Sequence, residues 1–86
     1  MLEKSLTIQL AQGLHARPAS EFVKAATSFQ SEVHLSKQGK KVNAKSIMGL
    51  MSLAVKKGDQ ITLTVDGADE SKAMAALETL LVEGNE

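Results

Sequence analysis

Apolar and polar residues alternate in four short stretches of the chain, which is the pattern of strands that bury one face. The apolar positions are Leu6, Ile8 and Leu10 in the first stretch, Val33 and Leu35 in the second, Val42 in the third, and Ile61, Leu63 and Val65 in the fourth. Between the second and third stretches, Gly39 can supply the positive φ of a hairpin turn at residues 37–40. The pattern therefore predicts four strands, two of them joined as a hairpin.

Elsewhere the apolar residues recur every three or four positions, which predicts amphipathic helices. These positions are Ala19, Phe22, Val23, Ala26 and Phe29 in a helix over about residues 16–28, and Ala73, Met74, Leu77, Leu80 and Leu81 in the last helix. A short helix runs from Ser46 through Leu53, and Asp69 and Glu70 complement the dipole of the last helix. The order βαββαβα predicts an α+β domain whose antiparallel sheet is covered by helices on one side and open to water on the other.

Length and composition narrow the class of protein. The 86 residues are enough for one small domain spanning residues 1–86. The absence of cysteine excludes disulfides and thiolate metal sites, and it fits a reducing compartment. The chain has neither the roughly 18 consecutive apolar residues of a membrane span nor an apolar signal-peptide segment. We therefore expect a cytoplasmic protein that binds no cofactor or metal ion.

The charges are segregated, although the formal net charge is zero. Residues 33–58 contain no acid and carry the lysines Lys37, Lys40, Lys41, Lys45, Lys56 and Lys57. From Asp59 onward, seven acids accompany the single base Lys72. The lysine block is either a solvated surface or an electropositive face for an acidic protein or a phosphate. Nucleic acid is disfavoured as a partner, because a neutral domain without exposed stacking aromatic residues lacks the usual footprint.

A candidate phosphate site lies at residues 13–19. Pro18 suits the first turn of a helix, which places His15 just ahead of the helix N-terminus on a bend that Gly13 permits. The unpaired amides and partial positive charge of a helix start attract anions, and the guanidinium of Arg17 can hold phosphate oxygens bidentately. Imidazole also offers a neutral nucleophilic nitrogen near pH 7. We predict that His15 carries a phosphoryl group, held near the surface and stabilised by Arg17.

Residues 43–53 form a second candidate site. Ser46 is a good N-cap, because its hydroxyl can accept from amides one turn ahead, and a phosphate on it would also be tolerated at a helix start. Five apolar residues follow within seven positions, too many for one face of a short helix to bury: Ile47, Met48, Leu50, Met51 and Leu53. Either Met48 and Met51 are exposed partner contacts, or the helix is fully buried. The spacing does not choose between these two.

Three further side chains are candidates on weaker grounds. Ser20 and Lys24 are four residues apart and share the exposed side of the first helix, where they are either solvated or in contact with a partner. His34 lies between two apolar positions of its strand, so we expect a surface histidine rather than a metal ligand.

The chain contains neither a Gly-rich nucleotide loop nor a cluster of carboxylates for Mg²⁺. It is therefore predicted to be a substrate of enzymes and not an enzyme.

Residues 13–19, Gly-Leu-His-Ala-Arg-Pro-Ala, and residues 43–53, Asn-Ala-Lys-Ser-Ile-Met-Gly-Leu-Met-Ser-Leu, resemble two signature segments of the HPr family. These are the histidine-containing phosphocarrier proteins of the bacterial phosphoenolpyruvate:sugar phosphotransferase system. The similarity extends over the length of the chain and its element order. It implies an open-faced, two-layer β-sandwich in which a four-stranded antiparallel sheet carries three helices on one face.

The resemblance also implies a function for the first site. His15 would accept a phosphoryl group on Nδ1 from phosphorylated enzyme I and pass it to sugar-specific IIA proteins or domains, with Arg17 stabilising the group. One docking surface for successive partners is implied at Ser20, Lys24, Ile47, Met48 and Met51. We expect a monomer whose partner interfaces are small and of modest affinity, because a carrier needs fast exchange.

For the second site, the resemblance implies regulation. Ser46 would be phosphorylated with ATP by HPr kinase/phosphorylase, and the product would be similar to the corepressor that binds the catabolite control protein. A close paralogue, the catabolite-repression HPr, shares much of residues 40–55, including Ala54, but lacks the histidine. Because this chain has His15, a phosphocarrier is the leading hypothesis. The alternative is a purely regulatory module that acts through Ser46.

Overall fold

The elements follow the predicted order βαββαβα. The computed structural model describes residues 1–9, 13–14 and 16–82. The strands are β1 (Leu2–Thr7), β2 (Glu32–Lys37), β3 (Lys40–Asn43) and β4 (Gln60–Asp66), and the helices are α1 (Ala16–Thr27), α2 (Ile47–Ser52) and α3 (Glu70–Val82). All strand pairs are antiparallel, in the sheet order β1-β4-β2-β3. No helix among these residues is long and apolar enough to cross a membrane.

The core lies between one face of the sheet and the helices, and it is built almost entirely from aliphatic side chains. Its sheet residues are Leu6, Val33, Leu35, Ile61, Leu63 and Val65, and its helix residues include Ala19, Phe22, Ala26, Leu50, Ala73, Met74, Leu77 and Leu81. The predicted apolar stripe of the last helix is confirmed except at Leu80, which is only half-buried. Because every strand contributes one apolar face to this layer, the predicted open-faced sandwich is confirmed.

The opposite face of the sheet is polar, as the alternation predicts. His34 lies on this face, between Asn43 of β3 and Thr64 of β4 in the strand register. The Thr64 side chain is buried, and its hydroxyl donates to the carboxylate of Glu3 at 3.2 Å. This hydrogen bond gives the buried hydroxyl of Thr64 the partner that a buried polar group needs. His34 itself is half-buried, so the expectation that it faces the solvent side holds.

The first strand differs from the prediction at both ends. It begins earlier, at Leu2, and it ends at Thr7. Ile8 is buried as predicted but lies beyond the strand, where its amide donates to the Asp59 carbonyl at 2.9 Å and its carbonyl accepts from Gly58 at 2.8 Å. These two bonds replace ladder pairing once the strand has ended. Leu10, the third apolar position of the predicted strand, lies outside the described residues.

The first helix ends at Thr27, one residue before its predicted end. Hydroxyls close its last turn: Thr27 donates to the Lys24 carbonyl at 3.0 Å, and Ser28 donates to the Ala25 carbonyl at 2.6 Å. Phe29 therefore lies after the helix and not on it, although its ring still packs against the core. Its predicted membership of the helical stripe was wrong, because the side-chain hydroxyls take the carbonyls that a further turn would use.

Asp69 ties the loop between α1 and β2 to the start of α3. Its carboxylate accepts from the amides of Gln30 and Ser31 at 2.9 and 3.0 Å and also from the Ser31 hydroxyl. The hydrogen bond from that hydroxyl, followed by the one from Gln30, lowers the pKa of Asp69 below its ordinary value. Glu70 opens the helix, as predicted, and accepts from the Gly67 amide at 3.1 Å. The sequence predicted the position of both acids but not these bonds.

Two non-glycine residues in the described part of the chain have positive φ. In the hairpin turn, Gln38 has a φ of 52° and Gly39 a φ of 86°, so both central residues show the sign of a type I′ turn. Ala54, which follows the last turn of α2, also has a φ of 52°. At such a position the Cβ of alanine crowds the following carbonyl oxygen, and glycine avoids this cost.

Replacing Ala54 with glycine is therefore expected to stabilise the protein. Relief of the left-handed strain exceeds the added entropy of the unfolded chain, so Ala54→Gly should raise the free energy of unfolding by about 0.5–1 kcal/mol. Urea denaturation measures the difference. The matched control is Ala75→Gly, on the exposed side of α3, which should lower the same free energy by about 1 kcal/mol. Equal destabilisation by both substitutions would contradict the assignment of strain to Ala54.

Candidate functional site

The loop before α1 is held in place by a distant part of the chain. The Leu14 amide donates to the carbonyl of Val55 at 3.0 Å, and the Leu14 side chain is buried. Gly13 has a φ of +74°, and a Cβ built on it would clash with the Val55 oxygen and lie 2.8 Å from the Lys56 Cα. Only glycine therefore fits at position 13, for reasons of both conformation and space. The sequence identified Gly13 as permissive, but it did not identify the segment that presses against it.

The same loop is fixed on its other side by the first turn of α1. The helix begins at Ala16, and Pro18 and Ala19 are both buried within that turn. This confirms that Pro18 lies in the first turn of a helix. His15 itself lies outside the described residues, so its predicted role as phosphoryl acceptor stays a prediction. What the described residues establish is that Leu14 and Ala16, its neighbours in the chain, belong to a bonded loop and a helix start.

Arg17 points away from the core. Its side chain is 86% exposed, and the nearest carboxylate is that of Glu21, with Arg17 Nε 4.0 Å from Glu21 Oε2. An exposed pair at this spacing contributes little to stability, so the guanidinium is not committed to it. Ser20 and Lys24 are exposed on the same helix. All three polar side chains predicted for this region are therefore accessible to a partner or a ligand.

Ser46 forms the N-cap of α2, as predicted. Its backbone is extended, with φ −118° and ψ 118°, and its hydroxyl accepts from the Gly49 amide at 3.1 Å. The Ser46 amide in turn donates to the Asn43 carbonyl at 3.1 Å. The hydroxyl is thus at a helix start and only half-buried. Phosphorylation at Ser46 remains a prediction.

The structure decides between the two interpretations of the short apolar helix. Leu50 is buried, whereas the exposed fractions are 41% for Ile47, 83% for Met48 and 45% for Met51. These three side chains form an apolar patch on α2, which packs beside α1. A fully buried helix is therefore excluded. We call Ile47, Met48 and Met51 the α2 patch.

Three of the six lysines in the basic block hold the fold together. Lys37 Nζ lies 2.7 Å from Asp59 Oδ2 and donates to the Ala54 carbonyl at 2.9 Å. Lys40 and Lys45 donate to the carbonyls of Ser52 and Phe29, at 3.4 and 3.0 Å. The bond from Lys37 is the main cause of a lowered pKa at Asp59. The electropositive surface is therefore smaller than the sequence suggests, because only Lys37 and Lys45 of the block are partly buried while Lys40, Lys41, Lys56 and Lys57 are exposed.

Among residues 1–9, 13–14 and 16–82, no group of three or more His, Asp or Glu side chains could hold a metal ion. His34, the histidine in this part, lies between Thr64 and Asn43 on the polar face.

The open-faced sheet with three helices makes this a small α+β protein of the open-faced β-sandwich class. Its candidate site combines the bonded loop ahead of α1 with the exposed α2 patch. The family profile described as "PTS HPr component phosphorylation site" matches residues 2–83. The chain belongs to the HPr family. Proteins of this family are phosphocarriers and not enzymes, in agreement with the sequence prediction.

Relatives of both types within the family are similar to this chain. The HPr-like protein Crh of Halalkalibacterium halodurans is 57% identical over 77 residues, which cover 90% of this chain and 92% of Crh. The phosphocarrier protein HPr of Neisseria meningitidis serogroup A is 51% identical over 81 residues, covering 94% of this chain and 91% of HPr. The chain is thus similar both to an HPr and to an HPr-like protein named Crh.

Solved structures give the same fold. The crystal structure of a phosphocarrier protein HPr from Bacillus anthracis has a TM-score of 0.91 at 45% identity, covering 93% of this chain and 95% of that one. The crystal structure of Crh from Bacillus subtilis has a TM-score of 0.79 at 49% identity, covering 100% and 99%, and is described as a dimer with a swapped domain. A dimeric relative does not fit the expectation of a monomer.

The contact between Gly13 and Val55 leads to a prediction about stability. Gly13→Ala adds both left-handed strain and a clash with the Val55 carbonyl, so it should lower the free energy of unfolding by about 2 kcal/mol or more. The control is Gly39→Ala, where φ is +86° but no atom lies within 4 Å of the added Cβ. That variant should lose only roughly 1 kcal/mol. Urea denaturation of both variants measures the difference, and equal losses would show that the close approach at Gly13 is unimportant.

Proposed function

We propose that the protein is a phosphocarrier that accepts a phosphoryl group on His15 from phosphorylated enzyme I and donates it to sugar-specific IIA proteins. The observation that carries the proposal is the braced loop. Leu14 is bonded to Val55 and buried, and α1 begins at Ala16. His15 joins these two fixed points. Membership of the HPr family supports the same assignment.

The chemistry required of His15 is modest. When the group is accepted, the Nδ1 lone pair attacks phosphorus, the phosphorus–nitrogen bond forms, and the bond to the donor breaks with its electron pair leaving on the donor. When the group is passed on, a nucleophile of the acceptor attacks phosphorus, and the phosphorus–nitrogen bond breaks with its electron pair returning to Nδ1. Phosphoryl transfer depends mainly on positioning and on stabilising negative charge. The amides at the start of α1 and the exposed guanidinium of Arg17 supply such stabilisation. Because the phosphoryl group must later pass to an acceptor, the protein has to hold it weakly. An exposed cation such as Arg17 holds a phosphoryl group in this way.

The partner surface proposed for these transfers combines the exposed side of α1 with the α2 patch. Ser20 and Lys24 are exposed on α1, and Met48 is the most exposed member of the patch. Methionine adapts its shape to different partners because its side chain is unbranched and polarizable. One surface could therefore serve enzyme I and the IIA proteins in turn. With these partners, the protein would act in the cytoplasm.

A second candidate function is regulation through Ser46, and the exposed Met48 favours it. Phosphorylation of the N-cap by HPr kinase/phosphorylase would add about two negative charges at a helix start, where the fold tolerates them. The same charges would border the α2 patch and change which partners bind it. The phosphorylated form is then the candidate corepressor for the catabolite control protein. Similarity to proteins named Crh is consistent with this role.

The carrier role is tested by incubating the protein with phosphoenolpyruvate and enzyme I and following its intact mass. The wild type should gain one phosphate that is lost on acid treatment, because phosphohistidine is acid-labile. His15→Ala should gain none, whereas the control His34→Ala should behave as the wild type. The carrier role would be ruled out by a wild type that stays unmodified, or by a His15→Ala variant that is modified equally.

The regulatory role is tested in the same way with ATP and HPr kinase/phosphorylase. The expected product is an acid-stable adduct that Ser46→Ala lacks and His15→Ala retains. Ser46→Ala also removes the N-cap, which should cost about 1 kcal/mol of the free energy of unfolding. Ser52→Ala, on the same helix, is the control for serine specificity. Modification of Ser46→Ala at the wild-type level would exclude this site.

A further inference from the structure

The segment of residues 54–59, which joins α2 to β4, bonds to two other stretches of the chain. One amide of the segment donates to the Ile8 carbonyl at 2.8 Å, and the Leu14 amide donates to the Val55 carbonyl at 3.0 Å. The backbone of the segment also lies so close to Gly13 that an added Cβ would clash with it. The position of the 54–59 segment therefore sets the position of Gly13 and Leu14.

The shape of the 54–59 segment is not one that its own residues favour. Ala54 has a φ of 52° and Gly58 a φ of 89°, so the chain enters the left-handed region twice within five residues. Glycine adopts this conformation freely, whereas alanine does so only at a steric cost. Interactions with groups outside the segment are therefore needed to stabilise its shape.

The ammonium group of Lys37 supplies such interactions at both ends of the segment. Lys37 Nζ donates to the Ala54 carbonyl at 2.9 Å and lies 2.7 Å from Asp59 Oδ2. The same carboxylate oxygen accepts from the Lys56 amide at 2.8 Å. The side chains of Lys37 and Asp59 are only 17% and 29% exposed, so salt screens this pair less than a pair at the surface. One side chain thus joins the first residue of the segment to the last.

Lys37 belongs to a different element from the segment that it binds. It is the last residue of β2, and alternation along the strand places it on the same side as Val33 and Leu35, which face the core. A charge in this position needs bonded partners. Lys45 is also half-buried, but its ammonium donates to the Phe29 carbonyl and not to the 54–59 segment.

We infer that Lys37 and Asp59 form a positioning clamp, which keeps the 54–59 segment in the place from which it anchors Gly13 and Leu14. Both residues act through the backbone of the segment. Removal of either partner would leave the other charge half-buried and unpaired, so the segment would open more often. The value of the clamp for phosphoryl transfer rests on the proposed phosphocarrier function.

Hydrogen exchange of the unmodified protein, followed by NMR, tests the clamp directly. Lys37→Met keeps the length of the side chain and removes its charge, and it should speed exchange of the Leu14 amide about tenfold. The Ala73 amide, which donates to the Asp69 carbonyl in the distant α3, should keep its wild-type rate. Lys45→Met is the matched control and should leave the Leu14 amide unchanged. Lys37→Arg, which keeps the charge, should restore most of the protection.

A double-mutant cycle shows whether the two residues act as one unit. Asp59→Asn keeps an oxygen for the Lys56 amide but removes the charge, so it should also speed exchange at Leu14 about tenfold. The double variant with Lys37→Met should reach about tenfold and not a hundredfold, because the second substitution has no pair left to break. The bond from Lys37 is the main cause of the lowered pKa of Asp59, so Lys37→Met should raise that pKa toward its ordinary value.

The inference would be overturned by an unchanged Leu14 amide in Lys37→Met, by equal acceleration at Leu14 and Ala73, or by additive effects in the double variant. Phosphorylation by enzyme I then tests the value of the clamp for transfer. Lys37→Met should accept phosphate about threefold more slowly at saturating enzyme I, because the loop is positioned less precisely. A wild-type rate despite a loosened Leu14 amide would overturn the positioning role. A wild type that accepts no phosphate would overturn the proposed function alone.

Discussion

The structure of the site depends on one close contact between two distant segments. The Leu14 amide bonds to the Val55 carbonyl, and Gly13 lies so near that any side chain would clash with the same oxygen. The contact fixes the chain at Gly13 and Leu14, and the buried Pro18 and Ala19 fix the first turn of α1 that follows. Under the proposed function, a phosphoryl acceptor between two such points would need little reorganisation before transfer.

The division between buried and exposed residues explains how one small domain can carry both proposed sites. Leu50 anchors α2 in the core, which leaves Ile47, Met48 and Met51 at the surface. Arg17 and Lys24 are exposed on the adjacent helix. The proposed phosphoryl transfer and partner binding would thus involve exposed side chains that do not pack in the core. Under the proposed regulatory role, modification of Ser46 would then change the surface without unfolding the protein.

Much of the fold could be predicted from the sequence, because periodicity reports directly on burial. The strand and helix patterns gave the order and type of all seven elements. Gly39 and Pro18 marked a turn and a helix start through their own backbone preferences. The missed boundaries, as at Phe29, lie where hydroxyls compete with backbone bonds. Such competition depends on side-chain rotamers that a periodic pattern does not contain.

The contacts of the site could not be predicted in the same way. Leu14 and Val55 are far apart in sequence, and no local signal pairs them. The sequence also could not show which lysines of the basic block bond within the fold and which contribute to the charged surface. The bond from Lys37 to Asp59, for example, exists only once β2 and β4 are adjacent. Whether Met48 was exposed depended on how Leu50 and Leu53 enter the core. In each case, the contacts and exposure of the side chain are determined by tertiary packing and not by local propensity.

The central claim is that His15 is the phosphoryl acceptor in a loop that is already formed. NMR of the protein labelled with ¹⁵N, before and after treatment with phosphoenolpyruvate and enzyme I, tests it most directly. The account predicts a phosphorus–nitrogen coupling at Nδ1 of His15 and an unbroken hydrogen bond from the Leu14 amide to Val55 in both states. A missing coupling at His15, or loss of that hydrogen bond on phosphorylation, would contradict it.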